Sequence, residues 1–312
     1  MKEIERIERR ISLHDVRVLM SVVEAGSMGK AAIRLATSQS AISRSIAELE
    51  DALGVRLLDR SPHGIEPTAY GRALLKRGIA VFDELGQGIK DIQFLSDPTA
   101  GELRIGASIA IAAGFVSSVI ERLYGQYPRL AFQVSATDSR FAYRALVDRE
   151  VDLVLLHITQ PIDENLMNAQ TLFNDPHVVV AGVHNQWTRR RRLTLSDLVN
   201  EPWTLPPPDA PYGAVVFEAF RAHGLSVPRA VVTSTLPVRS ALLATGRFLS
   251  MVPRVVLRFA AKDQALRGLP IELPTTLRPL AIITLRNRTL NPVAKLFTDC
   301  AREFARAKSN EK

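Results

Sequence analysis

Between Ser38 and Gly54 the chain reads Ser-Gln-Ser-Ala-Ile-Ser-Arg-Ser-Ile-Ala-Glu-Leu-Glu-Asp-Ala-Leu-Gly, and this stretch restricts the fold more than any other. Ser38 suits a helix N-cap and Gly54 a helix stop. Ala41, Ile42, Ile46, Leu49 and Leu53 recur between them at three- and four-residue spacing, as a buried stripe would. The opposite face carries Gln39, Ser40, Ser43, Arg44 and Ala47. These are short or hydrogen-bonding side chains, unlike the Lys and Glu of an ordinary solvated helix, so the face can approach another surface closely. Gln presents a donor and an acceptor to adenine, Ser bonds bases or phosphates, and Arg reaches guanine or phosphate. Such a helix start is suited to reading a DNA groove; a polar helix with no partner is the plainer alternative.

Upstream, Leu13, Val16, Leu19, Met20 and Val23 form one helical stripe. Gly26-Ser27 ends that helix and caps the next, on which Met28, Ala31, Ala32 and Leu35 face inward. Ala31 and Ala32 are small enough for a close helix crossing, and Ala36-Thr37-Ser38 has the length of the turn between crossed helices. Three helices in about forty residues give a helix-turn-helix layout.

Downstream, Val55–Arg60 alternates as a short strand, Ser61-Pro-His-Gly64 reads as a turn, and Ile65–Pro67 as the partner strand. This hairpin is a wing, placing Arg56, Arg60 and His63 beside the recognition helix. The alternative pairs Arg56 and Arg60 with Asp51 and Asp59 on a solvated surface. Thr68 caps a helix running to about Phe94, where Leu75, Phe82 and Ile89 stand seven apart and Leu85 and Ile92 continue a second line. That spacing predicts a coiled-coil seam between two chains, against the alternative of an amphipathic helix packed on its own domain. A two-fold seam would supply the pair of half-site readers that helix-turn-helix proteins need. Ser96–Gly101 marks a linker.

Composition sets bounds around this core. A chain of 312 residues that is 46% hydrophobic holds two or three cores. Its net charge of +8 suits a polyanion, but residues 1–99 hold 14 Lys+Arg against 14 Asp+Glu, so the whole excess lies in residues 100–312. Charge alone would misplace a DNA site. A single cysteine, Cys300, excludes an internal disulfide or a multi-Cys zinc site, and its place beside Phe297 and Phe304 predicts packing. Met1–Arg10 is charged without an apolar signal core, and Gly106–Ile120 is too short and polar to span a bilayer. A cytoplasmic chain with no membrane partner is expected.

The ordered set Gly26-Ser-Met-Gly-Lys-Ala-Ala32, Leu35, Ser38-Gln-Ser-Ala-Ile-Ser-Arg44, Ile46, Leu49-Glu50, Leu53-Gly-Val-Arg-Leu-Leu58, Arg60, Gly64, Pro67-Thr68 and Gly71 resembles the LysR-type transcriptional regulators. Weaker likeness extends to the C-terminus. Family members usually carry Pro where Ser40 stands and Phe where Leu58 stands; neither departure breaks the helix or wing, though Ser40 alters which bases are read. The resemblance implies an α/β protein with an N-terminal winged helix-turn-helix over residues 12–69 and a dimerising linker helix and hinge over 70–99. Residues 100–308 would form a two-lobed effector domain like that of periplasmic binding proteins. It also implies homodimers assembled into homotetramers on inverted-repeat double-stranded DNA near promoters, where RNA polymerase is a further partner. The DNA-contacting set would be Ser38, Gln39, Ser40, Ser43, Arg44, Arg56, Arg60 and Thr68.

The remaining two-thirds read as strands and helices in alternation: Glu102–Ala107, a helix from Ala110 to Gln126, Leu130–Ala136, a helix over Phe141–Asp148, and Val151–Leu156. This makes a parallel α/β layer. A second unit starts near Pro176–Ala181 and takes in Trp203–Leu205, helix Tyr212–Ala222, strand Arg229–Thr235 and helix Val238–Thr245. Strand Leu277–Leu285 and helix Asn291–Ala307 follow, and in the resembling family this late segment returns to the first lobe, leaving a cleft between lobes. Ligands of open α/β sheets sit at strand carboxyl ends and helix starts, which selects Ser108, Thr137, Ser139, His157 and Thr235 as candidate effector contacts, each with a plain cap or loop role as its alternative. Phe248 replaces a second glycine of the family segment Gly246–Pro253 and suggests a fuller cleft floor. Arg189–Arg192 is a solvated loop.

No Walker or dinucleotide Gly-rich loop, His-Glu-x-x-His or Gly-x-Ser-x-Gly turn is present, and the six His are scattered, so no enzyme, cofactor or metal is expected. The reading is a ligand-responsive DNA-binding regulator. Its rivals are a small-molecule-binding protein or enzyme whose first helices only dimerise, and a DNA binder without an effector.

Overall fold

The computed structural model describes residues 2–61, 64–233, 235–259 and 266–309. The chain divides into two compact units, Met1–Ile89 and Lys90–Lys312. The first contains α1 (Lys2–Glu8), α2 (Leu13–Ala25), α3 (Met28–Arg34), α4 (Gln39–Leu53), β1 (Leu58–Ser61) and β2 (Gly64–Pro67), followed by the start of α5 (Ala69–Ser96). Every helix from α2 to α5 opens on a side-chain cap. Ser12 and Asp15 form a capping box, while Ser27, Ser38 and Thr68 accept hydrogen bonds from the N–H groups of Lys30, Ala41 and Gly71 at 3.1 Å each. Each such cap contributes about 1 kcal/mol. Gly54 closes α4 in the left-handed conformation, at φ 68°.

The helices pack through Val18, Leu19 and Val22 of α2, Ala31 and Ala32 of α3, and Ile42, Ile46 and Leu49 of α4. Two stripe positions differ from expectation. Leu13 is 52% exposed and Ala41 is exposed, while Val18, Val22 and Ser45 turn inward. Helix α2 lies against both α3 and α4, so its buried arc is broader than a single stripe and excludes the first turn. Ser45 is admitted because its hydroxyl donates to Asp15 Oδ1 at 2.7 Å.

The wing strand begins at Leu58, three residues later than expected, because Glu50 Oε1 accepts from Leu57 N (2.6 Å) and Leu58 N (3.2 Å) and ties the preceding residues to the end of α4. Asp59 pairs with Glu66 and Arg60 with Ile65 across the hairpin, and its turn residue His63 lies outside the described residues. Helix α5 starts tight against the wing: a Cβ on Gly71 would stand 2.1 Å from Leu57 O. Leu74 and Leu75 pack on this unit's core, and the Arg17 guanidinium lies 4.5 Å over the Phe82 ring. Leu75 and Phe82 thus make contacts within the chain while remaining half-buried. Beyond Ile79, the exposed apolar positions of α5 include Val81, Leu85, Ile89, Ile92 and Leu95, between 46% and 80% exposed.

The second unit holds two five-stranded sheets. In chain order its elements are β3 (Ala100–Ala107), α6 (Ile109–Ile111), a π turn (Ala112–Val116), α7 (Ser117–Tyr124), β4 (Arg129–Ala136), α8 (Ser139–Val147), β5 (Leu153–His157) and β6 (Met167–Asp175). The chain then forms β7 (His177–Gly182), β8 (Trp203–Leu205), α9 (Pro211–Ala222), β9 (Ala230–Val232), α10 (Leu236–Ala244), β10 (Leu249–Pro253), α11 (Arg254–Arg258) and β11 (Leu266–Gly268). β12 (Arg278–Leu285) and α12 (Pro292–Ser309) complete it. The first sheet has the order β4-β3-β5-β12-β6 and the second β11-β7-β10-β8-β9. β3, β4 and β5 are parallel, whereas β12 runs antiparallel to β5 and β6, so the layer is mixed and not wholly parallel.

The late segment does return to the first sheet. β6, β10 and β11 have no counterpart in the sequence expectation: β6 is a half-exposed edge strand of mixed polarity, and β10 and β11 are short. The chain leaves the first sheet through Pro176 and comes back through a 3-10 turn at Pro274–Thr276, where His177 N donates to Thr276 Oγ1 at 2.9 Å. Cys300 packs at the edge of the first sheet's core, and burial pushes its thiol up.

A buried ion cluster joins β3, the turn before β5 and the turn after β12. Asp152 accepts from Arg104 at 2.8 Å and Arg288 at 2.7 Å, and Arg288 also donates to Val151 O at 2.6 Å. Burial opposes the charge on Asp152, but the hydrogen bonds from Arg104 and the charges of Arg104 and Arg288 outweigh it and hold the carboxyl below its usual range. Its contribution is present above that range and is lost on acidification below it. Arg288→Ala leaves a buried carboxylate short of a partner and is expected to cost about 3–5 kcal/mol, read as a lowered urea midpoint.

Candidate nucleic-acid interface and ligand cavity

The first turns of α4 present Gln39, Ser40 and Arg44 exposed, with Ser43 half-buried beside them. Ser38 is committed to the cap and its hydroxyl also meets Ser40 Oγ at 2.9 Å, which fixes both serines at the helix start. Gln39 leans back over α3, where a Cβ on Gly29 would meet its Oε1 at 3.5 Å. Arg44 has no hydrogen bond or ion pair among the described residues, and the acidic Glu50 is turned away into the wing. Arg56 is exposed just before β1 and is not paired with Asp51 among the described residues. Arg60 lies in β1. Thr68 donates to Arg56 O at 2.8 Å while accepting from Gly71 N, so its hydroxyl positions the Arg56 backbone. The arrangement is a polar, singly cationic helix start flanked by a two-stranded wing, the geometry of a groove reader.

In the second unit a cavity of about 500 Å³ lies where the carboxyl ends of strands from both sheets converge. From the first sheet come Ser108 after β3, Thr137 and Ser139 after β4, and His157 at the end of β5. From the second come Pro206 after β8, Pro253 at the end of β10, and Thr235 at the start of α10. Ser108 and Thr235 occupy N-cap positions without a side-chain cap hydrogen bond, which leaves backbone donors of both helices open. Phe248 is the exception among the expected contacts. It precedes β10, at the amino end of a strand whose carboxyl end meets the cavity, and is not a lining residue.

Behind the cavity, His157 Nε2 meets Asp175 Oδ2 at 2.9 Å, and Asp175 also accepts from Val255 N, joining β5, the exit of β6 and the start of α11. Three lining residues, His177, Tyr212 and Arg239, escape sequence reasoning. His177 stacks on Tyr212 with ring centroids 5.0 Å apart, and Arg239 lies with its guanidinium carbon 5.5 Å over the same ring. Tyr212 donates to Met251 O at 2.6 Å, and burial raises its phenol, keeping it a neutral donor. Burial, with the charge of His157 second, depresses His177 to about 3. Its Nδ1 faces Thr276 O at 3.3 Å, so the ring is neutral with that nitrogen as donor. Among the described residues no group of three or more His, Cys, Asp or Glu is placed to hold a metal, and no helix is long and apolar enough to cross a membrane.

Both units match family models. The bacterial regulatory helix-turn-helix of the lysR family matches residues 13–72, and the LysR substrate binding domain matches residues 96–306. The chain belongs to the LysR family. It is 25% identical over 291 residues to the HTH-type transcriptional regulator GbpR of Azospirillum brasilense, covering 93% of this chain and 85% of that one. A full-length OxyR variant from Pseudomonas aeruginosa has the same fold, with a TM-score of 0.68 at 20% identity over 94% of this chain and 95% of that one. CbnR crystallised with its target DNA superposes with a TM-score of 0.55 at 21% identity, covering 95% and 100%. As a LysR family member the protein is a ligand-responsive, DNA-binding transcriptional regulator. The family models also account for the pairing of a groove-reading unit with a two-sheet effector domain.

The buried neutral His177 gives the effector domain a pH signature. Below pH 6.5 the unfolded chain takes up a proton at this position that the folded chain refuses until about 3, so stability falls as pH drops through that window. Between pH 7 and pH 5 the wild type is expected to lose about 2 kcal/mol more than His177→Phe, measured by urea unfolding of both chains at each pH.

Proposed function

We propose that this regulator reads its operator with Gln39, Ser40, Ser43 and Arg44 in the major groove, while Arg56 and Arg60 steady the wing on the sugar-phosphate backbone. Ser38 and Thr68 act as caps that fix the helix start and Arg56. The observation that carries this reading is the uncommitted Arg44, exposed at the open end of a capped helix whose acidic residues lie at its other end. Dimers form through the bare apolar line of α5, and pairs of dimers occupy inverted repeats near promoters, in the cytoplasm and without catalysis. A small molecule at Ser108, Thr137, Ser139, His157 and Thr235 favours one arrangement of the lobes over another, changing operator geometry and access for RNA polymerase. Such a shift requires different affinity for the two arrangements.

Arg44→Ala is expected to weaken operator binding by about 1–3 kcal/mol if it reads a base. If it meets phosphate, the slope of log affinity against log salt falls by about 1 instead. Fluorescence anisotropy at several salt concentrations distinguishes these, and unchanged binding by a folded variant removes the assignment. The dimer surface is tested separately. Leu85→Asp with Ile89→Asp is expected to shift the chain to a smaller species in sedimentation velocity and to weaken operator binding at least tenfold; an unaltered assembly would place the interface elsewhere.

A further inference from the structure

Arg239 sits in the first turns of α10 and is 7% exposed, yet its Nε and Nη1 have no hydrogen-bond partner. A buried guanidinium with open donors is costly unless an acceptor arrives, and Arg239 lines the 500 Å³ cavity. The other arginine of the lining, Arg140, is solvent-exposed and meets Asp138 at 3.3 Å, while His157, at the end of β5, meets Asp175 behind it. The Arg239 guanidinium carbon lies 5.5 Å from the Tyr212 ring centre and the two side chains interact, which still leaves Nε and Nη1 without an acceptor. Nearby, Thr235 leaves the start of α10 without a side-chain cap, although Pro237 in that turn carries no N–H. Around these polar groups the wall is apolar, with Ile109, Val215, Leu236, Val252 and Val256.

We propose that the effector is a small monocarboxylate with an apolar body, its carboxylate held by Arg239 and its body packed on Val215, Leu236, Val252 and Val256. The assignment rests on the cavity being the effector site. Arg239 is the buried arginine of the lining, which fits one desolvated negative charge, and the apolar wall excludes a fully hydrated oxyanion such as phosphate. Because α10 belongs to the second sheet's lobe and Ser108 and Thr137 to the first, an acid of sufficient length bridges the lobes from the Arg239 side.

The test uses the full-length protein and matched probes: benzoate, 4-hydroxybenzoate and hexanoate, each against its carboxamide, with inorganic phosphate as a further arm. Thermal unfolding and calorimetric titration are expected to show at least one acid binding ten times or more tighter than its amide, with phosphate weaker still. Arg239→Gln is expected to abolish that preference, and Arg239→Lys, which keeps the charge but loses the planar fork, to retain only part of it. If the Gln variant does not fold, the Lys variant decides through the same ratio of acid to amide affinity. No acid exceeding its amide, phosphate binding as tightly as the acids, or an undiminished acid preference in the folded variant overturns the proposal. Operator affinity measured in parallel separates the two readings. An acid that binds through Arg239 without changing operator binding leaves this assignment standing and removes the ligand-response role of the cavity.

Discussion

Asp175 is the point on which the effector domain turns. It ends the last strand that the chain contributes to the first sheet before crossing to the second, and its carboxylate gathers His157 from one lobe and Val255 N from the other. Two residues later His177 is bonded to Thr276, so the outgoing and returning crossovers are tied to each other as well. A two-lobed domain with only these two crossovers has few covalent limits on lobe movement. The hydrogen bonds at the crossovers supply the rest, and two of the residues that make them, His157 and His177, line the cavity. Under the proposed role of this cavity, a ligand that alters how His157 or His177 is solvated acts on residues that tie the two crossovers.

The DNA-reading unit solves a different problem. Its recognition face must stay rigid while leaving its side chains uncommitted, and the two demands are met by separate residues. Ser45, Glu50 and Asp15 look like surface residues, yet they hold α4 to α2 and to the wing, with bonds of 2.6–2.7 Å. Gln39 and Arg44, one turn away, remain at the surface. Asp15 shows the balance of forces: burial opposes its charge, and hydrogen bonds from Ser12 and Ser45 outweigh that and keep it ionised as an acceptor. Polar groups spent on internal bonds stiffen the helix that carries the polar groups proposed to read DNA.

Much of the first unit was legible because its signals are local. Caps at Ser27, Ser38 and Thr68, stops at Gly26 and Gly54, and the small pair Ala31-Ala32 all act within a few residues of where they stand. The errors there were errors of packing. Leu13 fits the helical period of α2 yet lies exposed, and Val18 and Val22 turn inward in its stead, because periodicity does not name the neighbour. In the second unit the strand carboxyl ends pointed to Ser108, Thr137, His157 and Thr235 as residues of one region, since topology alone brings such ends together. Phe248, expected at the cleft floor only from its place in the family segment Gly246–Pro253, stands before β10 at the end away from the cavity.

The sequence by itself determined the order of elements, the capped recognition helix with its short polar face, and the family signature that runs through both. Only the tertiary structure decided which polar groups meet: Arg239 over Tyr212, His177 stacked on the same ring, and Asp175 between His157 and Val255, all drawn from distant parts of the chain. The physical reason is that capping and periodicity are set by near neighbours along the chain. Whether a buried donor finds an acceptor depends on non-local packing, which no local pattern records.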